Sequence, residues 1–123
     1  MANSTGVSVA GGNFWLAVTE AGQLIGTIAL AKFNNQQGAL KKMFVAPEFR
    51  KAKVGAALLE ALLQFAQREH FSEIYLGTNE VFQAAQHFYQ RNNFIEIKKN
   101  ELPADFPALA VDNRFYKRQV MKT

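Results

Sequence analysis

Residues 43–55, Met-Phe-Val-Ala-Pro-Glu-Phe-Arg-Lys-Ala-Lys-Val-Gly, constrain the fold of this chain more than any other stretch. An aromatic and β-branched run ends at Val45. Pro47, which has no N–H to give to a ladder, stops it. Arg50, Lys51 and Lys53 then crowd a short turn, and an alanine- and leucine-rich pattern of helical period opens at about Val54. The first N–H groups of a helix have no intrahelical partners, and the helix dipole is positive at that end. A basic turn delivered to a helix start is therefore an anion-binding design, and a phosphate or pyrophosphate is its natural guest. The plainer reading of the same residues is a solvated surface turn. Gly55 in the first helical turn costs about 0.5–1 kcal/mol relative to alanine. Close approach of the backbone to a ligand explains it better than mere tolerance.

The chain has 123 residues, 49% of them apolar, which suits one compact domain with a real core. It contains no cysteine, so a disulfide framework and a thiolate zinc site are both excluded. Two histidines, His70 and His87, are too few for a convincing metal cluster, and no metal is expected. No apolar stretch approaches the roughly 20 residues of a membrane span. The first dozen residues lack the basic start and apolar block of a signal peptide. They are small and polar and read as loose. A soluble cytoplasmic protein is the resulting expectation. The net charge of +4 admits nucleic-acid binding, but the basic residues are scattered and do not alternate with aromatics as a stacking platform would. No nucleic-acid partner is expected.

Along the chain, Phe14–Val18 and Leu24–Lys32 read as a hairpin of strands. Ala39–Val45 follows as a third strand after the turn cluster 34–38. From Val54 to His70 the period is helical, with Leu58, Leu59, Leu62, Leu63 and Ala66 on one stripe. Ile74–Thr78 is a short buried strand. Glu80–Asn92 is a second helix with Val81, Phe82, Ala85, Phe88 and Tyr89 on its apolar side, ended by Asn93 in the left-handed conformation. Phe94–Lys98 and Arg114–Met121 are the last strands, with a proline-bounded loop between them. The strand–helix–strand unit implies parallel pairing of the Val45 and Ile74 strands. The fold class is thus α/β (α+β): a mixed, mostly antiparallel sheet of about six strands with helices packed on it. Residues 1–123 form one domain in this reading.

These pieces resemble the GNAT superfamily of acetyl-CoA-dependent N-acetyltransferases. The resemblance runs from about Phe14 to Met121 and is strongest from Leu40 to Phe94. One signature is Val45-Ala46-Pro47, then Arg50-Lys51-Ala52-Lys53-Val54-Gly55, with Leu58-Leu59 following. The second is Ala85-Gln86-His87-Phe88-Tyr89, then Asn93-Phe94. The resemblance implies a co-substrate, acetyl-CoA, whose pyrophosphate sits on the backbone N–H groups from Arg50 through Lys51, Ala52, Lys53 and Val54 to Gly55, with Ala56 beside them. It implies a pantetheine arm along Met43, Phe44 and Val45, and a thioester between strands diverging from Val45 and Ile74. It makes Tyr89 the acid that protonates the leaving thiolate, and a backbone N–H at a strand bulge, of Met43 or Phe44, the oxyanion donor. Phe88 packs against the pantetheine or in the core. Tyr89, in line with Phe82 and Ala85, also has the plain reading of a core residue.

Three departures from the family pattern stand out. Lys53 replaces a usual glycine of the phosphate turn. Ala39 stands where some members carry a glutamate base. Only about a dozen residues precede Phe14, where the family usually has a strand and one or two helices. That shortened start leaves the acceptor side open, or covered by a second subunit in a homodimer. The expected reaction is acetyl transfer to a small-molecule or peptide primary amine. The alternative, motivated by Ala39, is a catalytically silent acyl-CoA-binding module. Thr78 and Asn79, at the end of the Ile74 strand, read as substrate contacts or as a helix N-cap.

Overall fold

The computed structural model describes residues 8–11 and 13–120. Seven strands, β1 (Ser8–Gly11), β2 (Phe14–Val18), β3 (Leu24–Lys32), β4 (Gln37–Val45), β5 (Glu73–Thr78), β6 (Ile95–Ile97) and β7 (Arg114–Gln119), are joined by two α-helices, α1 (Val54–Arg68) and α2 (Gln83–Arg91). Their hydrogen-bonded order is β1-β2-β3-β4-β5-β7-β6. Ser8–Gly11, read from sequence as loose, is a strand: it pairs antiparallel with β2 from Ser8↔Val18 to Gly11↔Trp15. Residues 1–7 and 12, and Met121 of the expected last strand, lie outside the described residues.

The chain divides into two compact units, and β4 contributes to both. The first unit holds β1 to β3 as far as Ala31, then Leu40–His70. Its core follows from period. On β2, Trp15 and Ala17 are buried while Phe14 and Leu16 are exposed, so one face of the strand is covered. The covering element is α1, whose Val54, Leu58, Leu59, Leu62 and Ala66 are all buried. Trp15 meets Phe65 edge to face at 5.4 Å. The helix starts at Val54 as its sequence predicts and ends at Arg68, with His70 in the left-handed region (φ 63°).

The second unit holds residues 32–39 and 71–120 of the described chain. Here β4 and β5 pair in parallel over Gln37↔Glu73, Gly38↔Ile74 and Ala39↔Tyr75, as the strand–helix–strand order requires. On its other side β5 pairs antiparallel with β7 along its whole length, Glu73↔Gln119 to Thr78↔Arg114, and β7 pairs with β6. Phe115 and Tyr116 alternate on β7, and the sequence reading has only one of them in the core. Both are buried, at 3% and 0% exposure, because each face of β7 is covered.

Helix α2 begins three residues later than its apolar pattern suggests, at Gln83. Val81 and Phe82 are therefore not on a buried helix face: they precede the helix and are 72% and 59% exposed. The cause is Asn79, whose Oδ1 accepts from the Val81 N–H at 3.1 Å and whose Nδ2 donates to the Val111 carbonyl at 2.7 Å. This side-chain turn offers the backbone an alternative to helix. Neither Thr78 nor Asn79 is the N-cap, which is Phe82 and makes no side-chain cap bond. At the other end the reading holds. Asn93 has φ 70°, and the Phe94 N–H returns to the Tyr89 carbonyl at 3.0 Å.

Candidate active site

Two groups of residues carry the chemistry anticipated above, one in each unit. In the first unit they surround the junction of β4 with α1. Pro47–Ala52 is not an open turn but a 3-10 helix with proline at its start, and Lys53 is the hinge residue between it and α1. Lys53 has φ 62°, ψ 25°, the left-handed region. This explains why a glycine is at home there, and a lysine holds that conformation only under constraint. Lys53 accepts the Ala57 N–H at 3.1 Å, so α1 is wound from its first residue. No side chain caps the helix, and no acidic residue sits in its first turn. The N–H groups at Val54, Gly55 and Ala56 are thus left to whatever approaches from outside. Val54 and Gly55 are buried and Ala56 is exposed. Arg50, Lys51 and Lys53 are exposed, and among the described residues their side chains have no ion-pair or hydrogen-bond partner. Three cations without a partner among the described residues thus lie within four residues of the uncapped start of α1.

β4 enters this junction through an irregularity next to Met43 and Phe44, where the resemblance implies a strand bulge. Lys42 lies in mid-strand with φ 58°, a bulge conformation. The Thr27 hydroxyl on β3 donates to the Lys42 carbonyl and holds it. Beyond the bulge the strand alternates again. The Ala46 N–H donates to the Ile25 carbonyl at 2.8 Å. The Phe44 carbonyl lies 3.0 Å from where a Cβ on Gly26 would stand. Phe44 and Ala46 therefore turn their backbone groups toward β3, and Met43 and Val45 turn theirs away from it. Gly26 is the second residue that sequence reasoning missed. A Cβ there would also stand 2.9 Å from Leu58 Cδ1 and 3.2 Å from Val54 Cγ1, so its lack of a side chain lets β4 and the start of α1 close on β3.

In the second unit, α2 presents Phe88, Tyr89 and an unanticipated buried polar residue, Gln86. Tyr89 is 5% exposed and ringed by Phe88, Phe94 and Tyr116 at centroid distances of 5.6–5.9 Å. Burial pushes its phenol up to about 12 from the ordinary 10. No described residue hydrogen-bonds the Tyr89 hydroxyl, and among the described residues no fully buried side-chain oxygen or nitrogen lacks a partner, so this hydroxyl is not wholly closed off from solvent. Gln86 fixes the helix by donating to the Asn79 carbonyl at 3.0 Å and accepting from the Tyr116 hydroxyl at 3.4 Å. Phe88 is half-buried, and His87 is exposed, as its place on the polar side predicts. Ala39 is fully buried beside Tyr75 in the parallel ladder. Among the described residues no group of three or more His, Cys, Asp or Glu could hold a metal ion. No helix there is long and apolar enough to cross a membrane.

The described elements are thus a mixed sheet whose parallel pair is joined through a basic turn and a helix, followed by a tyrosine-bearing second helix. The chain belongs to the acetyltransferase (GNAT) family, whose model matches residues 6–94. A crystallised GNAT-family acetyltransferase from Staphylococcus aureus Mu50 is 44% identical, with a TM-score of 0.85 over 88% of this chain and 68% of that one. Streptothricin acetyltransferase A of Bacillus subtilis is 34% identical over 71 residues, 58% of this chain and 41% of that protein. N-acetylaspartate synthetase of Xenopus tropicalis is 36% identical over 89 residues, 71% of this chain and 32% of that protein. The chain thus spans less than half the length of either curated relative. The N-acetylglutamate synthase of Neisseria gonorrhoeae, crystallised with coenzyme A, shares the fold at a TM-score of 0.76 and 18% identity.

Proposed function

We propose that this protein transfers an acetyl group from acetyl-CoA to the nitrogen of a primary amine. The observation that carries the reading is the uncapped start of α1, with three unpartnered cations beside it and Lys53 in the left-handed conformation. In this reading the backbone from Ala52 to Ala56 receives the diphosphate, and Arg50, Lys51 and Lys53 supply charge. The outward N–H and C=O groups of Met43 and Val45 pair with the pantetheine amides. Of the two candidate oxyanion donors, the alternation along β4 favours the Met43 N–H over that of Phe44, because Phe44 is turned to β3. Phe88 covers the pantetheine.

The amine nitrogen attacks the thioester carbonyl and forms the C–N bond. The C–S bond then breaks, and the sulfur leaves with a proton from Tyr89. A phenol at about 12 is fully protonated at neutral pH, so the donor is always loaded. The resulting phenolate is disfavoured by burial and regains its proton from solvent. Ala39 offers no carboxylate, so the amine's proton leaves to water. Relatives named for streptothricin and for acetylaspartate support a small-molecule acceptor.

The second reading, a silent acyl-CoA-binding module, rests on that buried Ala39 methyl. Calorimetry with acetyl-CoA, followed by thiol release over a panel of amines, separates the two. Binding with thiol release is the expected result. Binding with no release on any amine assigns the silent module, and absence of binding overturns both.

A further inference from the structure

We propose, resting on the reading that the Met43 N–H receives the oxyanion, that Thr27 is the positioning residue for that donor: its hydroxyl grips the other end of the same peptide group and so aims the N–H. The Lys42 carbonyl and the Met43 N–H belong to one peptide unit. That unit is planar and trans, so its C=O and N–H point in opposite directions. The Thr27 hydroxyl donates to the Lys42 carbonyl from β3. Holding the carbonyl therefore fixes the line of the N–H. Thr27 itself is well anchored. Its β2 partner Leu16 is exposed, whereas the neighbouring pairs Trp15↔Ile28 and Ala17↔Gly26 are buried, and Gly26 abuts Leu58 and Val54 of α1. The Thr27 side chain thus stands on the sheet face away from α1. Ladder carbonyls meet backbone N–H groups of the next strand; the Lys42 carbonyl meets a side chain on one face instead. Threonine is stiff at χ1, which makes its hydroxyl a fixed post.

The peptide needs holding because of where Lys42 sits. Four described residues other than glycine have positive φ: Lys42, Lys53, His70 and Asn93. Lys53, His70 and Asn93 each follow a helix, where left-handed residues are at home. Lys42, at φ 58°, is the one inside a strand. The left-handed conformation crowds a lysine Cβ against the following carbonyl oxygen. It persists only where the surroundings impose it. Relaxation of Lys42 to extended backbone would swing the whole peptide and carry the Met43 N–H off its line. The bond from Thr27 opposes that swing. It also polarises the peptide, which strengthens the N–H as a donor. The parallel register of β4 with β5 ends at Ala39, before the bulge, so that ladder makes no claim on the Met43 N–H.

The test measures thiol release from acetyl-CoA with the best acceptor of the amine panel. Thr27→Val keeps the branched shape and deletes the hydroxyl; Thr27→Ser keeps the hydroxyl. Removing an oxyanion donor outright costs about 10²–10³ in kcat, and spoiling its aim is expected to cost about tenfold, with the KM for acetyl-CoA changed by less than about twofold. Thr27→Ala, with less bulk, is expected to match Thr27→Val. Thr27→Ser makes the same bond and is expected to stay within about threefold of the wild-type kcat. A wild-type kcat in Thr27→Val, or a Thr27→Ser enzyme as slow as Thr27→Val, overturns the proposal. If no amine is turned over, the transferase reading fails separately, and the Met43 amide decides this one. Its NMR shift on adding acetyl-CoA is expected in the wild type and Thr27→Ser and is lost in Thr27→Val. Shifts at Val54 and Gly55 persist in all three and show that each is folded and loaded. A Met43 shift as large in Thr27→Val as in the wild type, or absent from the wild type, overturns the proposal.

Discussion

Tyr89→Phe is expected to lower kcat at least about tenfold, and as much as the 10²–10⁴ of a well-placed acid, with the KM for acetyl-CoA changed by less than about twofold. The substitution removes one oxygen from a ring buried among Phe88, Phe94 and Tyr116. That oxygen bonds no described residue, so packing survives its loss. The same residue fixes the sign of the alkaline pH dependence. Burial raises the folded phenol to about 12, so the proton is present throughout the neutral range and the wild-type rate falls only as pH climbs through about 12. An ordinary phenol would already fail near 10. The stability linked to this neutral phenol is complete below pH 10, where the unfolded tyrosine is also protonated, and is lost between 10 and 12. A kcat profile flat from pH 9 to 11 is the expected result. Full turnover in Tyr89→Phe would remove the residue from the chemistry.

Gly26→Val carries the largest expected loss of stability. Its first carbon alone would press on Leu58 Cδ1 at 2.9 Å, Val54 Cγ1 at 3.2 Å and, less forgivingly, the Phe44 carbonyl at 3.0 Å. The side chains can turn, but the backbone oxygen moves only with β4. Overpacking of this kind costs about 1–3 kcal/mol, against a total of about 5–15 kcal/mol for a domain. A drop in Tm of roughly 5–10 °C follows. Because the displaced atoms belong to the strand and helix that flank the Lys53 hinge, the KM for acetyl-CoA is expected to rise as well. An unchanged Tm would show that β3 and β4 are not in close contact at Gly26.

The strands and the first helix were legible because burial imposes a period. Trp15 and Ala17 alternate with Phe14 and Leu16, and Leu58, Leu59 and Leu62 recur at helical spacing. The Lys53 hinge was legible as a glycine position occupied by another residue, and its φ of 62° supplies the reason. Less visible was whatever depends on a single side chain competing with the backbone. Asn79 delays α2 by binding the Val81 N–H, and Thr27 stabilises a bulge at Lys42 that the family resemblance implies but a run of Leu-Lys-Lys-Met does not betray. The buried role of Gln86 was not visible either, because its partners, the Asn79 carbonyl and the Tyr116 hydroxyl, are 7 and 30 residues away in sequence. Ser8–Gly11 was read as loose because its residues are small, although its pairing with β2 asks nothing of side-chain size.

The most direct measurement is a backbone amide map of the full chain by two-dimensional NMR, titrated with coenzyme A. Shifts concentrated at Lys53, Val54, Gly55 and Ala56, with smaller ones at Met43 and Val45, are the predicted result. Saturating shifts confined to other segments, with those amides unmoved, would contradict the placement of the diphosphate at the start of α1.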